Sequence, residues 1–264
     1  MKKFVVAAFI SMVAAGSIFA ADLQIRKVAD ISPKSVNIKD SENGFRITNK
    51  GFIRFFSAKR IPIDPQKKYL ISCEYRLASG TQSDCHFYIA PVCYDKNAQE
   101  LSAASQNCVI GSDTVLAAAA KKGDRILKIK DGKKWKKSGL IAFNTKADHS
   151  DLPNKNYETF TAVTAKGDIW EVALKSPLTK DYPAGTAVRN QIHGASYRYL
   201  LYTTPKAEWQ KYSRVFQGLK AEHAAGSWST WRIGTTQAGL IFFVLDTKKS
   251  IDIEFRNISI TEVK

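Results

Sequence analysis

Past its first twenty residues the chain alternates apolar and polar positions in short runs, and the 3.6-residue period of a helix is nearly absent. Over residues 69–77 the odd positions read Tyr, Ile, Cys, Tyr, Leu and the even ones Leu, Ser, Glu, Arg. A period of two places the first set on the inner face of a half-buried strand and the second on the outer face. Residues 78–84 (Ala-Ser-Gly-Thr-Gln-Ser-Asp) are turn material, and Cys85, Phe87 and Ile89 then resume the inward face, which predicts a hairpin. Further strands are expected at 44–47, 52–57, 211–217, 239–245 and 250–262. Many short strands punctuated by Gly, Asn and Asp point to an antiparallel sandwich or jelly roll.

The middle of the chain reads as a unit of its own. Strands are expected at 125–130, 140–144, 159–165, 169–174 and 186–190, with Trp135 and Trp170 as core anchors. Lys166-Gly167-Asp168 supplies a tight hairpin turn, and Pro183-Ala184-Gly185 introduces the last strand. Ala117 to Ala120 could start a helix that Gly123 stops within about two turns. The predicted fold is therefore all-β: a jelly-roll β-sandwich built from 21–113 and 190–264, with a small β-barrel-like subdomain, 114–189, inserted in one of its loops.

Length and composition fit this division. The 264 residues suffice for one large or two small domains, and 44% apolar against 24% charged residues excludes wholesale disorder. The start is basic (Lys2, Lys3), then apolar from Phe4 to Val13, then small (Ala14, Ala15, Gly16, Ser17), the pattern of a secretory signal peptide with cleavage after Ala20. The expected location is secreted, periplasmic or cell-surface. No later stretch is apolar enough to predict an integral membrane segment.

Charge and cysteine usage are read in that light. The net charge is +16, of which the signal peptide takes two lysines and no acid, leaving +14. The insert holds fifteen basic against eight acidic residues, and 121–137 alone contains nine Lys or Arg against Asp124 and Asp131. Export favours acidic glycans or an anionic cell-surface polymer over nucleic acid as partner, while a solvated lysine face guarding edge strands is the plainer alternative. Cys73, Cys85, Cys93 and Cys108 form an even, clustered set, which suggests one or two disulfides. Cys93 with Cys108 is preferred, closing the loop that leaves the strand. Buried free thiols are the alternative, because Cys73, Cys85 and Cys93 share the parity of inward residues.

The outer segments resemble secreted carbohydrate-binding modules of the family 4, 9 and 22 type. The likeness lies in Lys68-Tyr69-Leu70-Ile71-Ser72, in Glu208-Trp209-Gln210-Lys211-Tyr212, and in Ile253-Glu254-Phe255-Arg256-Asn257-Ile258-Ser259-Ile260. The resemblance implies a galactose-binding-like jelly roll and a glycan ligand. An acidic pair often stands where this chain has Arg256-Asn257, so the family's structural calcium is not carried over. The insert resembles a small β-domain of bacterial surface and phage tail proteins through Lys122-Gly123-Asp124-Arg125-Ile126-Leu127-Lys128-Ile129, Glu158-Thr159 with Val163, Ser176-Pro177-Leu178 and Tyr182-Pro183-Ala184-Gly185-Thr186-Ala187-Val188. That likeness implies a fold and a spacer or docking role.

Sugar binding needs aromatic faces and polar groups for hydroxyls. The best local candidate is Ala225-Gly226-Ser227-Trp228-Ser229-Thr230-Trp231-Arg232. Two tryptophans three apart in such a loop are not both buried by alternation, so one is expected to face solvent. Arg232 offers fork geometry to hydroxyls or a uronate carboxylate. Trp228, Trp231 and Arg232 are therefore the candidate ligand-binding residues. The alternative is that both indoles cap the core, while Trp209 is expected to pack.

Two further motifs bear on chemistry. Gln191-Ile192-His193 is similar to a segment of jelly-roll alginate lyases of polysaccharide lyase family 7, in which the Gln neutralises the uronate and the His abstracts a proton, but that family's flanking strands are missing. Asp148-His149-Ser150-Asp151 reads as a solvated polar loop. No nucleophile elbow, zinc-protease motif or phosphate loop is present in the sequence, so no catalytic residue, metal or cofactor is expected. The expected function is non-catalytic carbohydrate binding or surface attachment. The alternatives are a structural or adhesive exported protein and a lyase acting on uronates.

Overall fold

The computed structural model describes residues 22–33, 37–78, 86–195, 197–245 and 250–264. The segment expected to be a signal peptide, Cys85 and most of the turn around Gly80 lie outside the described residues. Eight strands precede the middle region: Asp22–Ile25 (β1), Ile31–Ser32 (β2), Ile38–Ser41 (β3), Gly44–Lys50 (β4), Ile53–Ser57 (β5), Ile61–Pro62 (β6), Lys68–Leu77 (β7) and His86–Tyr94 (β8). The middle region supplies Thr114–Val115 (β9), Ile126–Ile129 (β10), Gly139–Phe143 (β11), Tyr157–Lys166 (β12), Ile169–Leu174 (β13) and Ala187–Gln191 (β14). After it come Leu201–Thr203 (β15), Gln210–Phe216 (β16), Leu219–Lys220 (β17), Trp231–Arg232 (β18), Gln237–Leu245 (β19) and Ser250–Val263 (β20).

Two antiparallel sheets make a sandwich. The first runs β16-β7-β20-β4-β3 with β1 also on β20, and the second runs β15-β8-β19-β5-β2 with β6 also on β19. The chain changes sheet between β4 and β5, between β7 and β8, and between β19 and β20. Each strand therefore turns one side chain in two toward a shared core. That core holds Tyr69, Ile71, Cys73 and Tyr75 from β7, Phe45 and Ile47 from β4, Ile253 and Phe255 from β20, and Phe55, Phe87 and Phe242 from the opposite sheet. Phe45 meets Phe55 edge-on at 5.3 Å and Phe87 meets Phe255 at 5.2 Å, while Phe55 and Phe242 stack at 4.9 Å. In β20 a bulge between Arg256 and Ser259, with Asn257 in the left-handed region at φ 50°, switches inward parity from Phe255 to Ile258 and Ile260. The β3–β4 hairpin passes so close to β20 that a Cβ on Gly44 would stand 1.9 Å from the Phe255 carbonyl oxygen, so only glycine fits.

The third sheet, β10-β13-β12-β11-β14-β9, draws all six strands from residues 114–191. It encloses its own core of Leu127, Ile129, Trp135, Phe143, Phe160 and Val172, with Trp170 packed against it. The Trp135 indole N–H donates to the Ser112 carbonyl at 2.8 Å. A single bridge, Leu116↔Ile129, brings the two ends of the sheet together, but no continuous ladder closes it, and the sheet stays open rather than forming a barrel. The helix expected at Ala117 to Ala120 is absent. Ala117 N–H donates to the Lys128 carbonyl, and Ala120 exchanges both backbone hydrogen bonds with Tyr182. Cross-chain partners had already taken the amides a helical turn would use.

Cysteine pairing departs from expectation. Cys73, Cys93 and Cys108 are all free and buried, so the Cys93–Cys108 bridge is not formed. Alternation along β8 sends Cys93 into the sandwich core, whereas Cys108 lies in the segment leading to the insert, with its sulfur beside His223. No helix among the described residues is long and apolar enough to cross a membrane.

Candidate functional site

The two sheets turn chemically opposite faces outward. On the second sheet the outward positions of β8 are Tyr88, Ala90, Val92 and Tyr94, and those of β19 are Ile241 and Phe243. Register aligns Tyr202 of β15, Tyr88 of β8, Phe243 of β19 and Arg54 of β5 in one row across four strands. Tyr88 and Tyr202 stack at 4.5 Å, Tyr88 and Tyr199 lie 4.8 Å apart, and Tyr197 bridges Tyr199 at 5.3 Å to Phe243 at 4.7 Å. Phe52 adds a ring 5.9 Å from Phe243. The rim of this cluster is open: Phe52 is 57% exposed, Tyr202 55% and Tyr199 45%.

Cations edge the same face. The Arg54 guanidinium lies 5.9 Å from the Phe56 ring centre and that of Arg60 lies 3.5 Å over Tyr94. Beside the latter pair, Phe56, Arg60, Tyr94 and Glu100 line a cleft of about 290 Å³. Burial first, then the neighbouring Tyr199, pushes the Tyr197 phenol up to about 12, and burial with Tyr202 raises that of Tyr88. These hydroxyls stay protonated and can both donate and accept. The surface therefore combines ring faces, hydroxyls and guanidinium groups.

The Trp228–Arg232 segment divides as the spacing of its indoles predicts, with one out and one in. Trp228 sits in the 3₁₀ turn Ser227–Ser229 and is 59% exposed. Trp231 is fully buried, 5.7 Å from the Tyr69 ring and 4.9 Å from that of Phe216. Arg232 is buried as well, so neither Trp231 nor Arg232 offers a surface to a ligand.

Arg232 is a structural tie. It donates to Glu222 at 2.9 Å, to the Leu101 carbonyl at 2.6 Å, to the Ala195 carbonyl at 3.1 Å and to the Tyr197 carbonyl at 3.1 Å. Arg198 binds the same carboxylate at 2.8 Å and also donates to the Ser227 and Thr230 carbonyls. Burial pushes the Glu222 carboxyl up, but Arg198 and Arg232 outweigh it and hold the group below the ordinary carboxylate range. This hub holds the carbonyls of Ala195 and of Tyr197, the first tyrosine of the aromatic face.

The Gln191–His193 pair does not make a joint site. Gln191 is fully buried on β14 with neither end of its amide hydrogen-bonded, while His193 is exposed. Trp209 packs on the outside of the first sheet, between Arg76 at 4.6 Å and Arg256 at 3.9 Å. All nine basic residues of 121–137 are exposed, while Leu127, Ile129 and Trp135 point inward from the same stretch.

Sequence reasoning missed one cluster altogether. Where the insert meets the sandwich, Cys108, His149 and His223 bring their side chains together. The Cys108 sulfur is 3.5 Å from His223 Nδ1, and His223 Nε2 is 3.1 Å from His149 Nδ1. Burial pushes the Cys108 thiol up to about 11, and burial followed by the charges of His149 and Arg189 outweighs the Gln106 carbonyl and lowers the His223 imidazole. Below the cluster, buried Arg189 binds Asp151 at 2.8 Å and Asp113 at 3.5 Å. His149 lies in the polar loop 148–151, and its two partners are far away in sequence, so no local spacing marks the group. No protein-family model matches the chain, and no curated protein matches it either.

Proposed function

We propose that this is a secreted, non-catalytic carbohydrate-binding protein of galactose-binding-like jelly-roll type, which holds a glycan against the outer face of the β15-β8-β19-β5-β2 sheet. The observation that carries the reading is the three exposed rings Phe52, Tyr199 and Tyr202, which surround the half-buried Tyr88 and the buried Phe243, with Arg54 in the same row. Exposed rings at the rim of a packed apolar face, bordered by polar groups, are characteristic of a binding surface. Pyranose rings present an apolar face to aromatic side chains and hydroxyls to Tyr, Arg and Glu. The cleft at Arg60, Tyr94 and Glu100 extends the same face. Trp228 is a separate contact candidate, and the exposed lysines of 121–137 favour an acidic glycan or other anionic surface polymer.

A glycan array or affinity gel with wild type, Tyr202→Ala and Trp228→Ala tests this. Tyr202→Ala is expected to weaken binding by about tenfold. Equal binding by wild type and Tyr202→Ala would remove the aromatic face from the function. Absence of binding by wild type would favour a structural or adhesive exported protein.

A further inference from the structure

We infer that Cys108, His149 and His223 form a site for a divalent zinc-class ion that fastens the insert to the sandwich. The site is independent of the aromatic face. Cysteine thiolate and two imidazoles are the donor types Zn²⁺ prefers. In a tetrahedral site with Zn–S about 2.3 Å and Zn–N about 2.0–2.1 Å, neighbouring nitrogens stand about 3.3 Å apart and sulfur about 3.6 Å from nitrogen. Here His149 Nδ1 and His223 Nε2 are 3.1 Å apart, and the Cys108 sulfur is 4.0 Å from His223 Nε2. All three donor atoms lie within 4.8 Å of one another, and turning the Cys108 side chain so that its sulfur moves to the Nε2 side of His223 completes three corners of a tetrahedron.

The atoms behind the donors strengthen the assignment. A metal-bound histidine typically donates its other N–H to a carbonyl or carboxylate, which fixes the tautomer and aims the lone pair. His223 Nδ1 lies 3.2 Å from the Gln106 carbonyl and 3.5 Å from the Cys108 sulfur, and Nε2 faces His149. On the other ring, His149 Nε2 faces Asp113 Oδ2 at 4.0 Å, leaving Nδ1 toward the cluster. Asp113 is in turn held by the fully buried Arg189 at 3.5 Å. His223 Nε2 and His149 Nδ1 thus meet each other, and the Cys108 sulfur lies against the other side of the His223 ring, nearer Nδ1. A nucleophile–base reading of Cys108 and His223 fits less well, because Cys108 is only 3% exposed and no substrate could reach its sulfur.

The four groups come from separate parts of the chain. Asp113 immediately precedes β9 and His149 lies in the β11–β12 loop of the insert, whereas His223 follows β17 in the sandwich, and Cys108 lies between β8 and β9. An ion here would join the two bodies through their contact surface, with three protein donors and one coordination position left for water.

The test is a titration of the whole, chelator-treated protein with Zn²⁺ by calorimetry and with Co²⁺ by absorbance. One Zn²⁺ per chain is expected, together with thiolate-to-cobalt charge-transfer absorption and a rise of several degrees in unfolding temperature at saturating Zn²⁺. Cys108→Ser should abolish the charge-transfer band, and His149→Ala or His223→Ala should weaken Zn²⁺ at least about 100-fold. Asp113→Asn leaves every donor in place and should weaken it about 10- to 100-fold, which covers any donor variant that fails to fold. His193→Ala should bind like wild type. Absence of stoichiometric binding, or wild-type affinity in Cys108→Ser or Asp113→Asn, would overturn the assignment.

Discussion

The two outer faces of one sandwich obey the same alternation and carry opposite chemistry. On the β16-β7-β20-β4-β3 sheet two of the outward rows are ionic: Lys211, Glu74 and Arg256 lie in register, as do Arg76, Glu254 and Arg46. Glu74 pairs with Arg256 at 2.7 Å and Glu254 with Arg76 at 2.8 Å, and even the one outward indole, Trp209, is covered by Arg76 and Arg256. Opposite charges across neighbouring strands are what a solvated face needs in order to stay soluble and resist edge pairing. On the other sheet the equivalent row is Tyr202, Tyr88, Phe243 and Arg54. The first face shows what folding demands of this sandwich. On the second, Ala90, Val92, Ile241 and Phe243 are buried in a small core of their own, and the exposed rings at its rim, Phe52, Tyr199 and Tyr202, are the reason to assign it a ligand.

The largest expected effect concerns the hub that supports the second face. Replacing Glu222 with Gln leaves Arg198 and Arg232 without a charged partner and should cost about 3 kcal/mol in urea unfolding. It should also loosen the tie from Arg232 to the Tyr197 carbonyl, so glycan binding falls with stability while the ionic face is untouched. The pH dependence has a definite sign. The Glu222 carboxyl is held below its ordinary value, so its contribution is complete above about pH 4.3 and is lost as pH falls through the lowered value. The stability gap between wild type and Glu222→Gln should therefore close on acidification.

Next in size is the pair Tyr199→Ala with Tyr202→Ala. Together they should weaken glycan binding about 100-fold, near 2.7 kcal/mol, with a small change in urea midpoint because both rings are largely exposed. A loss of stability matching the loss of binding would mean that the aromatic face is packing, and the contrast between the two faces would fail. Glu254→Lys places a third cation between Arg76 and Arg46 and should destabilise by about 1 kcal/mol, less in high salt, with glycan binding unchanged. Trp228→Ala is the smallest. Stability should stay within about 0.5 kcal/mol, and any fall in binding measured on the same array would extend the ligand surface beyond the tyrosines.

Much of this was legible in the residue pattern. The inward set Tyr69, Ile71, Cys73, Tyr75 of β7 and the Gly167 hairpin between β12 and β13 follow from period two and turn chemistry. One solvent-facing indole was expected beside the alternative that both cap the core, and Trp228 is the exposed one because it lies in the 3₁₀ turn Ser227–Ser229. What was not legible depended on partners. Arg232 read as a free fork because its acceptors, Glu222 and the carbonyls of Leu101, Ala195 and Tyr197, converge only on folding. Cys108 read as half of a disulfide because Cys93 was the nearest cysteine that a strand-end loop could reach, yet Cys93 faces the core and Cys108 faces His223.

The sequence by itself determined the all-β class, the positions of most strands and which side of each is buried, since alternation is a local property that each segment carries alone. Tertiary structure decided which outward residues stand side by side. Arg54, Tyr88, Tyr202 and Phe243 meet because β5, β19, β8 and β15 pair in one register, and Cys108, His149 and His223 meet because the insert docks on the sandwich. Register and docking are set by contacts between distant segments, and a binding face or a metal site exists only once those contacts are made.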